Sequence, residues 1–118
     1  MAAKNNVRKY DDIQDVFKDP SFDTKVEIYG TIETKRKYGK IMFLIIRDCT
    51  STIQMIFRQN IIPNLDKSQF KRNDRIRAIG ILKKDARAIN DIDLEVEEYY
   101  IIKDNQESSV SSIDSFDE

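Results

Sequence analysis

The spacing of apolar residues changes along the chain, and each change predicts an element. In YDDIQDVFKD (residues 10–19), Ile13, Val16 and Phe17 fall at helical spacing and Pro20 stops the run, predicting a short amphipathic helix. From Lys25 the period drops to two. Val26, Ile28, Gly30 and Ile32 alternate with Glu27, Tyr29, Thr31 and Glu33, the pattern of a half-buried strand over about 25–35. The KYGK turn then leads to a second strand at 41–47, and the DCTS turn to a third at 52–58. In NIIPNLDKSQFKRND, Pro63 suits the first position of a short helix, with Leu65 and Phe70 as its apolar contacts. A fourth strand, 75–84, puts Ile76, Ala78, Gly80 and Leu82 on one face. The fifth, 92–102, puts Ile92, Leu94 and Val96 on one face and Asp93, Glu95 and Glu97 on the other. Glu97 and Glu98 before Tyr99 and Tyr100 break the alternation and predict a bulge.

Gly30 and Gly80 lie inside strands, where glycine loses entropy and packing, so each needs a reason. A sharp bend in a small sheet that curls onto itself supplies one. Three strands, a short helix and two strands is the order of a five-stranded oligonucleotide-binding (OB) barrel, an all-β fold whose second and third strands carry the binding face. The expected organisation is an N-terminal extension with its helix at 1–24, the barrel at 25–103, and a disordered acidic tail at 104–118. The last fifteen residues, DNQESSVSSIDSFDE, have only Val110, Ile113 and Phe116 as apolar contacts.

Charge sharpens this picture. The net charge of −1 divides into −1 over residues 1–24, +9 over 25–90 and −9 over 91–118. A basic body suggests an anionic partner, with which the acidic end would compete. A solvated surface explains the same charges. No apolar run reaches the roughly 18 residues of a membrane helix. The start, MAAKNNVRKYDD, has no apolar stretch, so the expected setting is cytoplasmic, with no membrane partner. The single cysteine, Cys49, excludes an internal disulfide, and without histidine it makes no zinc site of the usual Cys/His kind. Most nucleophile and general-base arrangements fall with the missing histidine, and no glycine-rich phosphate loop is present. The expectation is therefore no enzyme, no catalytic residues, no metal and no cofactor. Carboxylates such as Asp91 and Asp93 read as solvated strand-end charges.

Within KRKYGKIMFLIIRD (35–48), parity assigns Met42, Leu44 and Ile46 to the interior and Ile41, Phe43 and Ile45 to the other face. In the third strand Ile53, Met55 and Phe57 point inward, leaving Thr52, Gln54 and Ile56 beside Phe43. A ring next to an amide, approached by Lys35, Arg36, Lys37 and Lys40, is what a reader of single strands needs. The ring stacks a base, the amide reads base edges and the cations hold phosphates. Phe43 would equally fit packing beneath the N-terminal helix.

The stretch VEIYGTIETKRKYGKIMFLIIRD, followed by Gln54, resembles the N-terminal anticodon-binding domain of the class II aminoacyl-tRNA synthetases for aspartate, asparagine and lysine. The matching features, in order, are Val26 to Ile32 around Gly30, then Thr34, Arg36, Gly39, the FLIIRD beginning at Phe43, and Gln54. The lead-in IQDVFKDPSFDTK is similar too, so the resemblance covers about residues 13–102. It implies that Phe43 stacks on an anticodon base and that Arg36 and Gln54 recognise the uridine at the middle anticodon position. A glutamate on the last strand commonly joins them; the resemblance carries that role only weakly onto Asp93, a shorter carboxylate. The family's large catalytic domain has no counterpart in these residues. The implied partner is a tRNA anticodon loop or another single-stranded nucleic acid, with a synthetase catalytic domain or a protein partner as further possibilities. A general binder of single-stranded DNA and a protein-interaction module are the rival readings.

Overall fold

The computed structural model describes residues 6–102; the acidic tail and its apolar residues lie outside them. The elements are β1 (Arg8–Lys9), α1 (Ile13–Lys18), β2 (Lys25–Tyr38), β3 (Ile41–Arg47), β4 (Thr52–Arg58), β5 (Arg75–Lys84) and β6 (Ile92–Ile102). The sheet runs β1-β2-β3-β4-β6-β5, and a further pairing of β2 with β5 closes the five long strands into a barrel. Closure depends on the length of β2. Its first half, Lys25 to Thr31, pairs with β5, and its second half, Thr31 to Tyr38, pairs with β3. β4 and β6 run parallel, as do the short β1 and β2.

The alternation read from the sequence is the inside-outside division of the barrel. Val26, Ile28 and Ile32, Met42, Leu44 and Ile46, Ile53, Met55 and Phe57, Ile76, Ala78 and Leu82, and Ile92, Leu94 and Val96 are all buried. Fully burying one large aliphatic side chain contributes roughly 1.5–3 kcal/mol, so this layer dominates the driving force. Both interior glycines sit where strands meet most closely. A Cβ on Gly80 would run into the Glu95 carbonyl, beside the register shift that leaves Glu97 as the expected bulge. A Cβ on Gly30 would overlap the Ile46 side chain and lie 2.9 Å from the Arg47 carbonyl oxygen.

Two differences from the sequence reading affect the site. The first strand continues to Tyr38 rather than stopping near residue 35, forming a hairpin with β3 that extends the sheet. The helix expected from Pro63 is only a 3₁₀ turn at Lys67–Gln69. Asp66 caps it by accepting from the Ser68 amide at 3.0 Å. The Lys35 ammonium donates to the carbonyls of Lys67 (3.1 Å) and Phe70 (2.6 Å), the Lys67 carbonyl also accepting from the Phe70 amide at 3.1 Å to close the turn. Leu65 and Phe70 are buried as expected, Phe70 packing with Phe57 and Tyr99 at centroid distances of 5.2 Å.

Helix α1 closes one end of the barrel, with Ile13 and Val16 buried in the same core. Its N-terminus is capped from a distance. Asp12, at the N-cap, makes no side-chain cap bond. Instead Asp48 accepts from the Ile13 amide at 2.8 Å, and Thr50 Oγ1 from the Gln14 amide at 3.1 Å. Among the described residues no helix is long and apolar enough to cross a membrane.

Candidate nucleic-acid interface

The strand register builds the outer face of β2, β3 and β4 as three rows. Tyr38 faces Ile41, which faces Arg58. Arg36 faces Phe43, which faces Ile56 and then Glu95 of β6. Thr34 faces Ile45, which faces Gln54 and then Asp93. Directly paired residues share a face of the sheet, so the sequence-predicted Arg36, Phe43 and Gln54 converge. Together with Asp85 and Arg87 of the β5–β6 loop, this face lines a groove of about 480 Å³. That size lies within the range of small-ligand sites.

No residue of α1 lines the groove, which removes the alternative in which Phe43 packs beneath the N-terminal helix. Phe43, Ile41 and Ile45 are half-buried around the opening, and Ile56 is a buried part of the floor. Tyr38 meets Phe43 edge to face, with ring centroids 6.0 Å apart and planes inclined by 64°. Arg36 donates from Nη1 to the Tyr38 hydroxyl at 3.2 Å, a bond that raises the guanidinium pKa. Two more arginines border the groove, each beside a carboxylate: Arg58 lies 3.4 Å from Glu95, and Arg87 lies 3.3 Å from Asp85. The arrangement can stack a planar group on an aromatic ring, offer the Gln54 amide to its edge and present guanidinium groups to anions.

The predicted lysines lie elsewhere. Lys35 and Lys37 pair with Leu44 and Met42, which places them on the opposite face of the hairpin from Arg36. Lys35 is engaged with the β4–β5 connection, and Lys37 donates to the Gly39 carbonyl at 2.5 Å. Lys40 occupies the exposed turn, its backbone carbonyl accepting from the Gln59 amide. A count of cations made these residues look equivalent; the two-residue period separates Arg36 from its neighbours.

Asp93 is on the expected side of β6 but is only 1% exposed, beneath the β5–β6 loop. Its Oδ1 has no hydrogen-bond partner among the described residues. Burial first, then the hydrogen bond and charge of Asp85, push its pKa up to about 7, opposed by Arg58. Asp85 shifts the other way, held below the usual carboxylate range chiefly by the Arg87 amide. Tyr38, Arg58 and Arg87 were missed as site residues. Strict parity finds the first two, since Tyr38 follows Thr34 and Arg36, and Arg58 follows Gln54 and Ile56. Arg87 belongs to a loop that has no period. Among the described residues no cluster of His, Cys, Asp or Glu is arranged to hold a metal ion.

Residues 26–102, from β2 to the end of β6, match the tRNA anticodon family, an OB-fold nucleic acid binding domain. The asparagine–tRNA ligase of Desulforamulus reducens is 32% identical over 91 residues, covering 75% of this chain and 21% of that enzyme. The chain spans about a fifth of the length of the curated relatives it matches. Asparaginyl-tRNA synthetase from Pyrococcus horikoshii superimposes with a TM-score of 0.60 at 28% identity, over 70% of this chain and 20% of that one. A replication protein A heterotrimer bound to single-stranded DNA superimposes with a TM-score of 0.54 at 17% identity, over 70% and 61% of the two chains, a likeness of fold alone.

Proposed function

Because the chain belongs to the tRNA anticodon family of OB-fold nucleic acid binding domains, we propose that its groove binds a tRNA anticodon loop without catalysing a reaction. The observation that carries this reading is the convergence of Arg36, Phe43 and Gln54 on one open face. Phe43 stacks a base, Gln54 and Arg36 contact its edge, and Arg58 and Arg87 hold flanking phosphates. Stacking on one ring is worth roughly 1–3 kcal/mol, and guanidinium–phosphate bonds are charge-assisted, so a short segment gains useful affinity from few groups. In the cytosol the module would act with a synthetase catalytic domain, in the same protein or supplied by a partner.

The test is a titration of anticodon stem-loops with a uridine at the middle position against the wild-type chain, Phe43→Ala and Gln54→Ala. Phe43→Ala should weaken binding roughly tenfold or more. Gln54→Ala should weaken it chiefly for the uridine loop and much less for a loop with another middle base. Unchanged affinity in both variants rejects the assignment. Competition with a DNA oligonucleotide of mixed sequence separates anticodon binding from general single-strand binding, for which DNA would compete equally well.

A further inference from the structure

Tyr38 is 58% exposed, although an aromatic ring normally contributes by being buried. It sits on the same outer face as Arg36 and Phe43, one pair of positions closer to the hairpin tip. Its ring is held rather than free, with Phe43 against one part of it and Arg36 donating to its hydroxyl. Access over the turn is open. A Cβ placed on Gly39 would meet nothing within 4 Å, and Gly39 takes the left-handed φ of +57° that lets the chain reverse there.

Taking the groove as the RNA site proposed above, we infer that Tyr38 is a second stacking platform. The groove then receives two neighbouring bases, one on Phe43 and the next on Tyr38. Consecutive bases in a stacked strand lie parallel and about 3.4 Å apart. Platforms 6.0 Å apart and inclined by 64° do not match such a stack. They match a strand whose adjacent bases are splayed, as in RNA loops, where unstacked bases lie on aromatic side chains. The two rings therefore select for an opened loop over a helical strand. Because Tyr38 is already positioned by Phe43 and Arg36, little side-chain freedom is lost when a base settles on it.

The experiment uses the full chain and three probes: the anticodon stem-loop with a middle uridine, and the same loop made abasic at the nucleotide before or after that uridine. For the wild-type protein, one of the abasic probes should bind roughly tenfold or more weakly than the intact loop. Tyr38→Leu should show that loss with the intact loop and no further loss with that abasic probe. Tyr38→Phe, which keeps the ring but loses the hydroxyl that Arg36 holds, should bind the intact loop more tightly than Tyr38→Leu and still lose affinity with that abasic probe. Thermal unfolding of Tyr38→Leu checks that the fold is kept. If the abasic losses are the same in Tyr38→Leu as in wild type while Phe43→Ala still weakens binding, Tyr38 is only a hairpin contact. The same conclusion follows if neither abasic probe is weakened in the wild type. If Phe43→Ala also has no effect, the RNA site itself is rejected.

Discussion

Asp93 shows how burial can set the pH response of a single residue. Its carboxyl is raised to about 7 by burial and by Asp85, so the folded protein holds that proton far more tightly than the unfolded chain does. The resulting stability is fully present below the ordinary carboxylate pKa near 4 and is lost as pH rises to about 7. Asp85, held below its ordinary value, acts in the opposite sense at lower pH, so the two windows separate. Asp93→Asn, neutral throughout, should be close to wild type in stability at pH 4 and more stable at pH 8, by on the order of 4 kcal/mol. Denaturant unfolding at the two pH values measures this. An equal pH slope in the two proteins would mean that Asp93 does not titrate as its surroundings indicate.

The β3–β4 turn is the element that ties the N-terminal helix to the barrel. The Asp48 carboxylate accepts from the Ile13 amide through Oδ2, and through Oδ1 from the Thr50 amide and hydroxyl and the Ser51 amide. Burial works against its charge, but bonds from Thr50, Ile13 and Ser51 outweigh that and hold the carboxyl below its ordinary value. Asp48→Ala should therefore cost roughly 1–3 kcal/mol, in the range of a lost cap and unsatisfied donors. Hydrogen exchange should speed up at the Ile13 and Gln14 amides. Unchanged exchange there would show that packing of Ile13 and Val16 holds the helix without this cap. Because α1 lies outside the groove lining, affinity of the folded variant for an anticodon loop should change little.

For the molecule as a whole, the strands distribute charge more selectively than the net +9 of residues 25–90 implies. The cationic groups of the groove lining are Arg36, Arg58 and Arg87, while Lys35 and Lys37 face the other way. The two phosphate contacts, from Arg58 and Arg87, give a slope of log affinity against log salt of about −1.4 for a single strand, far shallower than the full basic count would produce. Arg87→Ala should flatten the slope by about 0.7, and Lys35→Ala should leave it unchanged. Equal effects of the two substitutions would mean that phosphate binding follows net charge and not the groove. The sequence alone determined the strand order, the inward set and the outward placing of Phe43 and Gln54, because side chains alternate strictly along a strand and one face must leave water. The bulge at Glu97 and the special need for glycine at positions 30 and 80 were legible for the same reason, since each interrupts a regular pattern, but what the structure shows at the two glycines is a neighbouring strand too close to admit a Cβ. Only the tertiary structure decided which cations reach the site, because the hairpin continues past residue 35 and its parity divides Lys35 and Lys37 from Arg36 and Tyr38. It also decided that Asp93 is covered and Arg87 is not, since loop positions carry no period. The helix expected from Pro63 is a single turn, and its tie to Lys35, distant in sequence, is a contact that no local pattern announces.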